Sequence, residues 1–281
     1  MQRSIDSKGF SFPKLGLYLF LCIWLIISIF PFYWLLVAAT RGTSSIFAYP
    51  PHLLFGNMLG KNFRDLLAAI PFFQSMWNSF LVACIGTVLT LFFTSLAGFA
   101  FAKFHFPGKK PLFWLLLATM MVPGQMNIVP MFTIMKTFHW ADHLVALIVP
   151  GLVSAFGIFW IKQFSESSIH DDLLNAGRID GCGIFRLYFN VALPVMRPSL
   201  AALGIFLFMG SWNDYMWPLV VLNTPSHYTL QVMLSTLNGL YTTDYGMVMM
   251  GTLLGVIPLI ILFAIFSRKI MGSVTVGAIK S

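Results

Sequence analysis

The chain is 281 residues long, 58% hydrophobic and 9% charged, with a mean hydropathy of +0.83 and a net charge of +8. Soluble domains carry about 25% charged residues, so this is an integral membrane protein, and a bilayer leaves helices or a closed barrel as the options. Barrel strands alternate apolar and polar residues with period two. No such run is sustained here, which leaves an all-α membrane protein.

A membrane-crossing helix needs about 20 apolar residues. Six stretches meet that need, at about 16–40, 77–102, 111–135, 143–162, 198–222 and 245–267, within a single domain over 1–281. The first span follows a basic tail, residues 1–14, and ends in Pro31-Phe32-Tyr33-Trp34, aromatics that suit an interface. No small-residue cleavage pattern follows it, so it reads as a retained helix. The loop after it carries Pro50-Pro51 and a short helical pattern over Asn62–Leu67.

The second span is rich in small residues, Ala83, Gly86, Ser95, Ala97 and Gly98 among them, which lets helix backbones approach closely. Pro107-Gly108 then makes a turn between lysines. The third span is interrupted by Pro123-Gly124-Gln125, with Asn127 and Pro130 beyond. Proline frees a carbonyl that needs another partner, so this span is expected to line a polar cavity, as broken helices do in transporters. The fifth span carries Trp212-Asn213-Asp214-Tyr215, and Asp214 is the one acid assigned to a span. A carboxylate there costs roughly 3 kcal/mol on insertion scales. It is a functional group, a residue at headgroup level, or a structural hydrogen-bond anchor. An amphipathic segment, Leu230 to Leu237, precedes the last span.

Between spans four and five lies the polar island of the chain, residues 163–197, with Lys162 at its edge. Ser168-Ile-His-Asp171 has the form of a helix start, with Asp171 and Asp172 in the first turn. A helix through Leu173 and Ile179 would meet a second, Ile184–Phe189, ending before Pro194, across a turn at Asp180-Gly181 where glycine can take positive φ. Such a knob fits a groove on a soluble partner; an amphipathic hairpin lying on lipid is the plainer alternative.

Sorting the basic residues by loop gives the topology. Thirteen of the seventeen fall in the two tails (the C-terminal one 268–281), the loop between spans two and three, and the island. Arg41, Lys61, Arg64 and Lys136 fall on the other side. The positive-inside rule puts both termini and the island in the cytoplasm, and the charge is topology rather than nucleic-acid affinity. Cys22, Cys84 and Cys182 have no disulfide or metal spacing. The histidines are scattered and no catalytic set or metal cluster is evident, which argues against an intramembrane enzyme.

The run Asp171-Asp172-Leu173-Leu174-Asn175-Ala176-Gly177-Arg178-Ile179-Asp180-Gly181, then Leu193-Pro194, resembles the EAA loop of ABC importer permeases. Trp212-Asn213-Asp214-Tyr215-Met216-Trp217-Pro218 is similar to the signature of the carbohydrate-uptake branch, in its MalG-like inner-membrane subunit. Asn78-Ser79, the Ala-Gly-Phe-Ala-Phe-Ala-Lys run to Lys103, Phe106-Pro107-Gly108-Lys109 and Val122-Pro123-Gly124-Gln125 also match.

The resemblance implies a six-helix permease with cytoplasmic EAA-type coupling helices between helices four and five. It implies import of a sugar, oligosaccharide or polyol phosphate by alternating access, across a bacterial or archaeal plasma membrane. It also implies a second, MalF-like permease, two ABC ATPases and an external solute-binding protein. The coupling residues would be Asp172, Leu173, Leu174, Asn175, Ala176, Gly177, Arg178, Asp180 and Gly181. Asn175 stands where the motif has glutamate, and Gly177 where it has its second alanine.

The chain has no phosphate-cradling glycine loop, so ATP and Mg are expected on the partner ATPase and no cofactor on this chain. Gln125, Asn127, Trp212, Asn213, Asp214 and Tyr215 are the candidate substrate-pathway residues. The alternative is an ion-coupled secondary transporter working without an ATPase, which would want several intramembrane charges.

Overall fold

The computed structural model describes residues 12–239 and 243–278, with side chains described over 15–239 and 243–265. The described residues contain no strand. In chain order the α-helices are α1 (Phe12–Ala39), α2 (Thr43–Ile46), α3 (Leu59–Ala69), α4 (Phe72–Lys103), α5 (Lys109–Thr119), α6 (Ile128–Thr137) and α7 (Val145–Ile148). They continue with α8 (Ala155–Ser168), α9 (Asp171–Ile179), α10 (Ile184–Leu187), α11 (Leu193–Trp212), α12 (Met216–Val221), α13 (Leu230–Ser235) and α14 (Tyr245–Ala278). Four helical stretches are long and apolar enough to cross a membrane, and up to six if each of two bent pairs counts as one.

Both bends have a residue-level cause. α5 and the Gly124–Thr137 helix meet at 92°. The break falls at Met120–Pro123, where Pro123 takes an extended ψ of 128° that no helix continues through. The Val145–Gly151 turn and α8 meet at 42°. There Ser154 leaves helical geometry and its hydroxyl accepts the Gly157 N–H at 3.1 Å, an N-cap that starts α8 afresh. The sequence reading anticipated the first break and treated 143–162 as one straight element.

The described residues form two compact units, one of residues 12–69, 237–239 and 243–254, the other of residues 70–236 and 255–278. In the first, Val37, Ala38 and Ala39 at the end of α1 are buried. The buried Asn62 amide on α3 donates to the Ala39 and Arg41 carbonyls at 2.8 and 2.9 Å, tying α3 to the end of α1. Asp244 accepts from the Thr43 hydroxyl and caps the start of α14 through the Gly246 N–H. Further back along α1, residues 15–32 are exposed throughout.

In the second unit α4 packs along α8 and α11. Small residues make this possible, as expected. A Cβ on Gly98 would lie 2.7 Å from the Ile161 Cβ, and one on Gly157 2.6 Å from the Thr94 Cγ2. Phe99, Ile161, Ile169, Leu174, Tyr188 and Leu203 fill the core that results. At the opposite end of α4, Asn78 donates to the Ser226 and Tyr228 carbonyls and the Ser79 hydroxyl accepts the Leu230 N–H. These bonds seat α13, whose Leu230, Val232 and Met233 are buried.

A helical hairpin and a polar-edged cavity

The island forms a helical hairpin. Its first leg, α9, starts two residues later than the Ser168 pattern implies. His170 occupies the cap with no side-chain bond, and the Ser168 hydroxyl faces Ser167 instead. Asp171 is held by the Lys103 ammonium at the end of α4, 2.9 Å away. That hydrogen bond and charge hold the Asp171 carboxyl below the usual carboxylate range. Gly181 closes the turn with φ of 77°, and a Cβ there would meet nothing, so glycine is required by conformation alone.

The second leg does not end before Pro194 as expected. α10 runs through a π-helical turn, Tyr188–Ala192, into α11, and Pro194, which has no N–H to donate, directly follows that wide turn. The stretch Ile184–Trp212 is one of the long apolar spans. The hairpin is therefore continuous with the helix that follows it.

Of the residues assigned to coupling, Leu174 and Gly177 face inward, Leu174 within the core of α4, α8 and α11. Asp172, Leu173, Asn175, Ala176, Arg178, Asp180 and Gly181 face outward. A Cβ on Gly177 would lie 2.6 Å from the Leu187 Cδ2, so glycine lets the two legs close on each other. Asn175 accepts a hydrogen bond from the Arg178 guanidinium at 3.0 Å within its own helix. Around the tip, Ile179, Ile184 and Phe185 are 87%, 60% and 72% exposed. The sequence reading placed Ile179 on the first helix of the knob and Ile184 and Phe185 on the second, without assigning any of the three to coupling. An exposed apolar tip on a rigid mount is the form of a docking surface.

A second feature is a cavity of about 460 Å³ bordered by α4, the break before α6, the turn before α8 and the end of α11. Asn127 and Asp214 line it, together with Thr87, Thr90, Ser211 and Trp217, which were not singled out in the sequence. Trp217 is fixed by its indole N–H on the Ala146 carbonyl at 2.9 Å, and the Thr90 hydroxyl donates to the Gly151 carbonyl at 2.9 Å. Buried Thr87 Oγ1 has no protein partner.

The other pathway candidates lie elsewhere. Trp212 is 1% exposed, stacks on Phe208 and donates to the Gly255 carbonyl, so it belongs to the packing. Asn213 donates to the Met209 carbonyl of its own helix. Gln125 and Tyr215 are exposed and lie outside the lining. Among the described residues no three His, Cys, Asp or Glu side chains converge to hold a metal ion.

Beyond the cavity, Asp142 (φ 62°) accepts the Asn223 and Thr224 N–H groups at 2.8 and 2.9 Å, with His227 Nδ1 3.4 Å away. Desolvation works against the Asp142 carboxylate, yet the bonds from Thr224 and Asn223, with the nearby His227 ring, outweigh it and hold the carboxyl far below its ordinary range.

The model of one protein family, binding-protein-dependent transport system inner membrane component, matches residues 91–271 of this chain. The chain belongs to that family. The lactose transport system permease protein LacG of Rhizobium radiobacter is 32% identical to it, with 95% of this chain and 97% of that protein covered. The arabinooligosaccharides transport system permease protein AraQ of Bacillus subtilis (strain 168) is 31% identical, covering 98% of each. The sn-glycerol-3-phosphate transport system permease protein UgpE of Yersinia pestis bv. Antiqua (strain Antiqua) is 32% identical, covering 90% and 94%. A crystal structure of a bacterial ABC transporter involved in the import of the acidic polysaccharide alginate contains a chain of the same fold. It superposes with a TM-score of 0.80 at 19% identity, covering 95% of this chain and 99% of that one. The protein is thus a transport permease component with the helical architecture of an ABC importer subunit, and the hairpin and cavity are features of such a component.

Proposed function

We propose that this permease moves a carbohydrate, or a related polyol phosphate, inward by alternating access, driven by two ABC ATPases that grip the hairpin from the cytoplasm. In this reading the bent pairs each make one span, giving six, with both termini cytoplasmic. A second, MalF-like permease completes the pathway, a solute-binding protein delivers the substrate, and ATP and Mg stay on the ATPases.

The observation that carries it is the hairpin itself. Its tip exposes Ile179, Ile184 and Phe185, while Leu174, Leu187 and Tyr188 root it in the core. A handle pushed by a partner needs both properties: an apolar face to be gripped, and a mount that moves with the helices rather than bending. Asp172 to Gly181 supply the first leg of that handle, with Asn175 engaged by Arg178 and so serving without the motif's acid. The cavity supports the transport half of the reading. Hydroxyl, amide and carboxylate groups on an otherwise apolar wall suit a ligand whose hydroxyls need partners and whose CH faces do not. The three named relatives carry lactose, arabinooligosaccharides and sn-glycerol-3-phosphate by their names, which defines the panel to test.

The test is uptake by proteoliposomes holding the chain with its co-purified partners, given each of those three solutes and the solute-binding protein. ATP-dependent accumulation of one of them is expected. Uptake that continues without the ATPase, or that follows an imposed proton gradient instead, refutes the proposal in favour of an ion-coupled carrier.

A further inference from the structure

We propose that Tyr188 and Lys103 are positioning residues that clamp the hairpin to α4 at two levels and so make it a lever on that helix; this rests on the coupling reading above. The Tyr188 hydroxyl lies 2.6 Å from the Ser95 hydroxyl, and each residue is 1% exposed. Ser95 spends its own proton on the Phe92 carbonyl at 3.0 Å, so Tyr188 is the donor and Ser95 the acceptor. The Tyr188 ring is also packed on Phe99, centroids 5.9 Å apart. Lower on α4, the Lys103 ammonium reaches the Asp171 carboxylate at 2.9 Å, with the Lys103 side chain 9% exposed.

The two bonds take different legs. Tyr188 lies in the π-helical turn at the root of the second leg, and Asp171 is the first residue of α9. On α4 their partners are eight residues apart, about 12 Å along the axis at 1.5 Å per residue. One attachment would leave the hairpin free to swivel about it. Two attachments, on opposite legs and separated along one helix, fix its direction. A displacement of the tip is then delivered to α4 as a tilt, and α4 carries Thr87 and Thr90 of the cavity wall. The core contact of Leu174 adds cohesion but no direction, because apolar contacts slide where hydrogen bonds do not.

The experiment uses the intact complex in proteoliposomes and needs no transported solute. Asn127→Cys places a thiol in the cavity, and a membrane-impermeant maleimide added outside reports its accessibility above the chain lacking that change. ATP with orthovanadate is the probe. The chain with Asn127→Cys alone is expected to change its labelling rate when ATP–vanadate is added. Adding Tyr188→Phe or Lys103→Met should shrink that change by about fivefold, the factor that one net hydrogen bond carries in an equilibrium. Complex yield and ATP hydrolysis should stay unchanged. Tyr188→Phe is mild because Ser95 keeps its Phe92 bond. Exchanging the charges, Lys103→Asp with Asp171→Lys, should restore part of the response lost in Lys103→Met.

A full response in both variants, or failure of both to assemble, overturns the lever, the second because it makes them structural residues only. No ATP-dependent change in the Asn127→Cys reference strikes instead at the coupling reading itself.

Discussion

Gly98→Ala is the sharpest test of how α4 is held. The new methyl carbon would lie 2.7 Å from the Ile161 Cβ, 2.8 Å from its Cγ2 and 3.1 Å from the Lys162 backbone N. Two of these atoms cannot move without the backbone of α8, and Ile161 is fully buried. The helices must separate, and overpacking of this kind costs about 1–3 kcal/mol. Alanine returns up to about 1 kcal/mol in helix propensity, so a net loss on the order of 1–2 kcal/mol is expected. Gly86→Ala on the same helix makes the same chemical change where a Cβ meets nothing within 4 Å. It isolates the contact from the propensity. Thermal unfolding midpoints of the purified complexes should drop for Gly98→Ala and hold or rise for Gly86→Ala. Equal midpoints for the two variants would refute the close-approach argument.

Gly181→Val should leave membrane insertion intact but cut transport per ATP hydrolysed. It forces a β-branched residue into a left-handed conformation that costs about 1–2 kcal/mol even for ordinary residues, and immunoblots beside coupled uptake and phosphate-release assays would check it. Ile179→Asp, at a position 87% exposed, should spare the fold and lower ATPase co-purification, read by pull-down, by the roughly 2 kcal/mol or more that marks a hot spot. For Asp142 the folded carboxyl sits below its unfolded value. Its stabilisation is therefore fully present above the ordinary carboxylate pKa of about 4 and is lost progressively as pH falls from there toward the depressed value. Limited proteolysis of the 223–228 segment should show no change from neutral pH down to about 4 and rising susceptibility below it. At neutral pH Asp142→Ala should loosen the segment by about 1–3 kcal/mol for its orphaned N–H groups, and Asn, which tolerates positive φ, by less.

The helices were legible because lipid imposes a length and a polarity that composition alone reveals. Local chemistry was legible too: Gly181 turns, and Pro123 breaks its helix. What the sequence could not carry was competition between distant partners. The Ser168 cap pattern did not hold: His170 takes the cap position, and Lys103, 68 residues away, engages the Asp171 carboxylate. Pro194 reads as a stop and proves to lie within a continuous helix, directly after its π-helical turn. Trp212 and Asp214 are two residues apart, yet one is sealed in the packing and the other faces the cavity. That split depends on where α11 ends, which is at Trp212, with Asn213 as the cap that follows it. Trp217, quoted within the signature but not assigned to the pathway, has its place set by a carbonyl on α7.

The wide turn at Tyr188–Ala192 sets an angle by arithmetic. Each residue of an ordinary helix advances the chain by about 100° around its axis, and a π turn holds one residue more than the α turn it replaces. Removing a single residue there would let the winding tighten and swing everything upstream by roughly a quarter-turn or more about the fifth span. The handle would keep its shape and point the wrong way. The bearing of the hairpin is thus encoded in a count of residues, and in this short segment length is under tighter constraint than composition.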